Sequence, residues 1–581
     1  MKRSDKKAFL RLTTAGRVWL AASLLASFFL AASCGGKEMS RDEIVADFMF
    51  QYTPLTALEV GEAVGAHPFT ASDLLAGVHG KGELSQGYTL ILDDSLSFTV
   101  PQGSASLRLN DITLNVWKKE GDGPVFFAAV VDERTLSATV FEAWLCGEGD
   151  SLTGAIPPRE VQRHIATGVV AGGDAAVHRH KATRRLTGKV TEWSDELTVF
   201  GSATYSAVVP KGSSQTFCYP SDYYELDDRH SLYSRVEVEF SGAFLLDVVD
   251  LYSMEKVGVR LGIDAFDKFD CTLYADKGKV RGQLAAYYPF GIEAKDMRPD
   301  MPAPAKGIRY LYRPSVLTHP LTLKEVERIA SDTKGWKGAF DFPGKEKKMM
   351  EHSSLMDNRK FTLIFDNGTV WEYETETDFR MRFRSPGGEW KAERYDAFEA
   401  DDNLVFFAHV TDNDCPTDGL QYAIDLDNGL VTCIRSTFDN AADPRVPRQE
   451  WLFGIIETEG VRASLSRHNF TDELLGRSYT WEYSDEIASQ HVYTTTESFT
   501  YAIVGSGGPS VMGSFPCKYV KIREGVYMLS WIEMRSQGIE GVLLFNTKTM
   551  HDCGTCHGMT HDETFEFNTF CAESRSAGSY I

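Results

Sequence analysis

Positive charge is scarce in this chain. Its 581 residues hold 60 Lys and Arg against 82 Asp and Glu, a formal charge of −22. That balance argues against a nucleic-acid partner, because phosphate contacts demand clustered Lys and Arg. It equally argues against docking onto anionic lipid through protein charge. Cysteine is sparse, ten in all, so no dense disulfide framework is implied. No nucleophile elbow and no zinc-protease motif occurs. The loop Gly505-Ser506-Gly507-Gly508-Pro509-Ser510 is the one candidate phosphate cradle. Pro509 removes an amide donor there and no helix pattern follows, so it reads as a hairpin loop.

Long apolar runs are also lacking. The run from Val18 to Ser33 follows a basic start (Lys2, Arg3, Lys6, Lys7, Arg11, Arg17). It is shorter than the roughly 20 residues an ordinary membrane span needs. It ends Leu30-Ala31-Ala32-Ser33-Cys34, the pattern of an export signal with a lipobox. The expectation is a signal peptide over 1–33, lipidation at Cys34, and a location in the bacterial cell envelope, held to a membrane by that lipid. Ordinary cleavage after Ser33 is the alternative.

What the chain has in quantity is strand signal. Runs rich in Phe, Tyr, Val and Thr are broken by turns such as Asp366-Asn367-Gly368. Helix signals are few: capping boxes at Ser40-Arg41-Asp42-Glu43 and at Thr322-Leu323-Lys324-Glu325. One apolar phrase recurs at Phe126, Phe244, Phe406 and Val526, and the last three copies carry Cys271, Cys433 and Cys553 at equal spacing. The openings Tyr88-Thr89-Leu90-Ile91-Leu92-Asp93 and Phe361-Thr362-Leu363-Ile364-Phe365-Asp366 match each other, as do Arg179-His180 and Arg467-His468 with their following glycines. The order is A-B-A′-B′, a two-domain unit present twice. A period this long marks whole domains rather than solenoid units. The expected organisation is all-β: a linker with a short helix over 34–78, then four small antiparallel barrels at 79–165, 166–290, 356–450 and 451–581. A Pro-rich linker over 291–355 separates the halves.

Three groups of residues carry candidate chemistry. Cys553-Gly554-Thr555-Cys556-His557 has the spacing of a c-type haem attachment site, and its thiols and imidazole also suit zinc. Alternate strand residues face opposite ways, and Cys553 shares its repeat position with Cys271 and Cys433. A strand is therefore expected there, the three cysteines being buried small hydrophobes, and no cofactor. Aromatic residues share strand faces: Trp371 with Tyr373, Trp481 with Tyr483, and Trp531 with Leu529 and Glu533. Such walls suit a small organic ligand inside a barrel. Arg382 and Arg384 share a face that is suited to clamp an anion, or is simply a solvated basic strand. His180 and His468 are expected to make structural contacts with a neighbouring domain, or to serve as bases at a barrel mouth.

The C-terminal half resembles the MoaF family. Phe361-Thr362-Leu363-Ile364-Phe365-Asp366-Asn367-Gly368, Trp390 with Tyr395-Asp396-Ala397, His468-Asn469-Phe470-Thr471-Asp472-Glu473-Leu474-Leu475-Gly476-Arg477 and Val526-Tyr527-Met528-Leu529-Ser530-Trp531-Ile532-Glu533 carry the likeness. The resemblance implies calycin-like barrels related to lipocalins and phenolic acid decarboxylases. From the decarboxylases it implies Glu533 as a glutamate, Arg384 as an arginine, and Tyr479 and Tyr483 as paired tyrosines. Arg384 lies one domain away from the others. The leading expectation is a small aromatic or anionic ligand lined by Trp371, Tyr373, Arg382, Arg384, Trp481, Tyr483, Trp531 and Glu533. The alternatives are an enzyme acting on a small aromatic acid through Glu533 and Tyr483, and a non-enzymatic surface scaffold.

Overall fold

The computed structural model describes residues 88–284, 308–309 and 321–580. Within these spans, 93–96, 103, 120–124, 147–159, 174–179, 184, 203–204, 238–242, 264–268, 334–335, 442–443, 506–510, 534–537 and 560–563 are excepted. Cys34, the export signal and the capping box at Ser40 lie outside the described residues. The chain is all-β, with one helix among the described residues. It divides into two compact units, one carrying the first two sheets and the other, Ser315–Ala577, the last two.

The described strands form four sheets in chain order, and the pairings within each are antiparallel save one accessory strand. The first is eight-stranded and the second ten-stranded. The third has nine strands, from Lys360–Phe365 to Arg448–Thr458. Its two edge strands, Lys391–Arg394 and Asp396–Asp401, are consecutive in the chain, so the sheet is rolled almost shut. The fourth closes completely. Its strands run from Arg477–Glu482 to Phe565–Ser579, and the last pairs with both His551–Met559 and the first. Closure leaves no exposed edge.

The same local devices recur. In the first and third sheets the opening strand is flanked by the next strand and by the last one. There a glycine, Gly168 or Gly454, is obligatory: a Cβ would stand 2.2 Å from the carbonyl oxygen of Ile91 or of Ile364. His180 Nδ1 lies 2.8 Å from Thr139 Oγ1, and His468 Nδ1 lies 2.8 Å from Thr432 Oγ1. Each histidine thus docks its own domain against the preceding sheet.

Four hairpins are built alike. Each strand ends in a buried Asp132, Asp250, Asp425 or Asn546 whose side chain accepts from turn amides. Four positions on, Leu136, Met254, Gly429 and Met550 all take positive φ. These turns, alike in the four sheets, do not align with the apolar phrase read from sequence. The Phe126 and Phe244 copies are the strands that end in the capping aspartates. The Phe406 and Val526 copies are the strands one place earlier. The three cysteines consequently sit on different rungs. Cys271 is in line with Phe244, Cys433 with Phe407, and Cys553 with Met528. Cys271 is exposed, not buried.

The domain limits move with the register. The limit at 450/451 cuts strand Arg448–Thr458, which belongs to the third sheet, and that at 165/166 cuts Glu160–Val170 of the first. Part of the 291–355 linker is structural. Thr322 and Glu325 form the expected reciprocal cap on helix Leu323–Thr333. That helix buries Val326, Ile329 and Ala330 against Phe438, Met559 and Phe565. Beyond it, Trp336–Ala339 pairs in parallel with the last strand, and Phe342 stacks on Tyr483 at 4.8 Å between ring centroids.

Candidate ligand site in the closed barrel

The faces of the closed barrel are fixed by what they touch. Cys553, Phe567, Cys571, Met528 and Leu544 pack with Phe398, Phe406 and Ile434 of the third sheet. Their neighbours along each strand must therefore face the lumen. That places Asp552, Gly554 and Cys556 inside.

The haem motif is thereby split. Cys553 lies among the residues between the two sheets, while Cys556 faces the lumen. His557 points outward again. Its Nε2 donates to the Pro416 carbonyl at 2.7 Å and its Nδ1 accepts from Ser436 Oγ at 2.5 Å. Burial pushes its pKa down to about 4, so the ring is a neutral connector between the sheets. Among the described residues no group of three or more His, Cys, Asp or Glu converges on a metal position.

The two arginines also lie elsewhere. Met381 and Phe383 of strand Arg380–Arg384 fill the third sheet's core, which turns Arg382 and Arg384 outward. Arg382 Nε donates to Glu374 at 2.6 Å and Arg384 Nε to Glu372 at 2.5 Å, and both guanidinium groups lie over Trp390. Neither reaches the interior that holds Tyr373, so the anion clamp expected from sequence is an outer-face ion-pair ladder. Its net worth is small in solvent.

Inside the third sheet two tyrosines and a histidine satisfy one another. His409 Nδ1 donates to the Val410 carbonyl at 2.8 Å, which leaves Nε2 as the acceptor. Tyr373 donates its hydroxyl to that nitrogen at 3.0 Å and accepts from the Tyr422 hydroxyl at 2.7 Å. Burial lowers the His409 pKa to about 4, so the relay is built on a neutral ring. Trp371 packs at the margin of this core, 5.7 Å from Phe383 between ring centroids, with its indole N–H unpaired.

The closed barrel is different. Its lumen is walled by Tyr479, Trp481, Tyr493, Phe499, Trp531 and Phe545, which are in mutual ring contact. Tyr483 joins them near Phe570. Trp531 lies over Gly541, where an added Cβ would come within 2.1 Å of the indole. Several polar atoms in this lumen have no partner. Both ring nitrogens of His491, the Trp531 indole N–H and the Ser489 hydroxyl are buried without a hydrogen bond. The Ala572 backbone amide acts on Asp552 as a donor, and no side chain among the described residues pairs with either carboxylate oxygen. Asp552 and His491 are each 1% exposed. Burial pushes the Asp552 carboxyl well above the carboxylate range and the His491 imidazole down to about 3. Both groups are uncharged at neutral pH.

Trp481, Tyr483 and Trp531 are therefore brought into one chamber, while Trp371 and Tyr373 belong to another. Glu533 ends strand Val526–Glu533, its backbone opposite Ile539; its side chain lies outside the described residues. Ser489, His491 and Asp552 were not singled out from the sequence. The alternation Ser489-His491-Tyr493, continuing the face of the aromatic strand before it, was the available signal. Asp552 was masked by the Cys-x-x-Cys-His motif beside it.

Residues 468–578 match the MoaF C-terminal domain, which spans the whole closed barrel. No curated protein matches the chain.

Proposed function

We propose that the closed C-terminal barrel binds one small organic ligand, and that the protein acts as an exported, lipid-anchored binding protein. The observation that carries the first part is the set of unpaired polar atoms on His491, Ser489, Trp531 and Asp552 inside a closed, aromatic-walled barrel. Buried polar groups are nearly always hydrogen-bonded, and each exception costs about 1–3 kcal/mol. Here several exceptions cluster in one lumen. Aromatic walls with a few convergent polar groups are the usual lining of a small-molecule site, and eight-stranded barrels hold such ligands.

The third sheet, whose tyrosines and histidine already satisfy one another, is left out of the site. The decarboxylase-like alternative loses its arginine, since Arg384 is on the outer face of another sheet. Native mass spectrometry of the intact chain is expected to show a bound small molecule, or one taken up from an aromatic compound library with quenching of Trp481 and Trp531 fluorescence. A barrel that holds only water and takes up nothing refutes the reading. The export and anchoring part rests on residues 1–34. Incorporation of a labelled fatty acid that disappears in Cys34→Ser is the expected result, and labelling that persists in that variant refutes it.

A further inference from the structure

We propose that the ligand of the closed barrel carries a protonated amine on an aromatic or apolar body, with the ammonium seated against Asp552. This deepens the ligand-binding reading above and rests on it. A carboxyl group buried alone is driven to its neutral form, because the ionised form has lost its water without gaining a partner. Asp552 is in that position. It faces the lumen, neither of its oxygens has a side-chain partner, and no cation acts on it among the described residues.

The titratable groups around it are Tyr483 and Tyr493 within the barrel and the Cys553 and Cys571 thiols on its outer side. All four are held above their ordinary values by burial and stay uncharged at neutral pH. Two cations of this domain bond elsewhere: Lys521 donates to Glu473 at 2.6 Å, and Arg477 bonds Tyr479.

Among the described residues, no cation acts on Asp552 that could serve an anionic ligand beside it. A carboxylate would meet a carboxylic acid, a neutral imidazole and aromatic faces. For an ammonium the same lining is complementary. Among the described side chains, Asp552 is able to become a counter-ion, and the faces of Tyr483, Tyr493, Trp481 and Phe545 attract a cation. The proton balance is fixed by the chemistry. An amine entering as the free base takes the Asp552 proton. An amine entering as its ammonium form displaces that proton to solvent. Near neutral pH the second case applies and one proton is released per ligand bound.

The test is calorimetric titration of the full chain with 2-phenylethylamine and with its neutral counterpart 2-phenylethanol, in two buffers of different ionisation enthalpy. The amine is expected to bind at least about tenfold more tightly than the alcohol, with release of about one proton and affinity that rises with pH. Asp552→Asn is expected to weaken amine binding about a hundredfold and to abolish the proton release that accompanies it. The wild-type proton release keeps the test decisive if that variant fails to fold. Equal binding of both compounds without proton release overturns the amine inference and leaves the ligand site standing. Absence of binding by either compound, together with a barrel that takes up nothing from the wider library, overturns both.

Discussion

Glu540 gives the most direct quantitative test of how the last two sheets are joined. It projects from the closed barrel toward the third sheet and is fully buried. Its Oε1 accepts from Gln449 Nε2 at 2.6 Å and from Ser530 Oγ at 3.3 Å, while Oε2 has no partner. Burial outweighs these bonds and pushes its pKa from 4.5 up to about 7. Below pH 4.5 the carboxyl is protonated in both the folded and unfolded chain. Between 4.5 and 7 the unfolded chain ionises and the folded one does not, so stability falls as pH rises. Above 7 both are ionised and the loss is complete. At 1.36 kcal/mol per unit, this shift costs about 3 kcal/mol by pH 8. Glu540→Gln keeps the acceptor oxygen facing Gln449 and cannot ionise. Urea unfolding of the whole chain at pH 4.5 and pH 8, followed by tryptophan fluorescence, isolates the effect, since every other titrating group is common to both proteins. The variant is expected to gain about 3 kcal/mol relative to wild type on going from pH 4.5 to 8. An equal pH dependence in the two proteins would refute the buried, uncharged reading of Glu540 and the desolvated contact that it implies.

Three further outcomes are expected. Tyr373→Phe removes the donor to His409 Nε2 and should cost about 1–3 kcal/mol in the same unfolding assay; a neutral substitution would mean that solvent enters the third sheet's core. Gly541→Ala forces the Trp531 indole off its present position, with a loss of about 1–3 kcal/mol and a shifted tryptophan emission; an unchanged spectrum would contradict the packing of that ring. Under native conditions iodoacetamide should label Cys271 and spare Cys433, Cys517, Cys553 and Cys556, read by peptide mass spectrometry. Labelling of Cys553 or Cys556 at the rate of Cys271 would contradict their burial.

The all-β class was legible because it depends on period-two alternation and turn chemistry, both local properties. The capping box at Thr322 and the docking histidines His180 and His468 were legible for the same reason: each is a short motif whose partners lie nearby or recur. The register of the repeat was not. Apolar strands look alike, and an equal spacing between two of them lands on different rungs when the intervening turns differ in length. The device the four hairpins share is the turn itself, a buried Asp or Asn with a left-handed residue four places on, and such a device is less conspicuous than a run of phenylalanines. The same limit governed the site. Alternation placed Trp481, Tyr483 and Trp531 on shared faces correctly. It could not say that Arg382 and Arg384 face outward, since that depends on which face of their strand closes over Met381 and Phe383.

The two C-terminal domains show why an aromatic interior is a weak indicator by itself. Both lumens hold tyrosines and a buried histidine whose imidazole is kept neutral. In the third sheet, donors and acceptors close into a directed relay from Tyr422 through Tyr373 and His409 to the Val410 carbonyl, so the polar groups add to the rigidity of a filled core. In the closed barrel His491 has no partner on either nitrogen, and Asp552 is protonated with no acceptor for its proton. The same residue types in nearly the same architecture thus give opposite signs. The tyrosine–histidine relay is complete without a ligand, and the other set becomes complete only when something else enters. It is this difference in hydrogen-bond completion, more than the number of rings, that locates the candidate site in residues 468–578 and makes Asp552 the residue whose substitution should discriminate a binding chamber from a core.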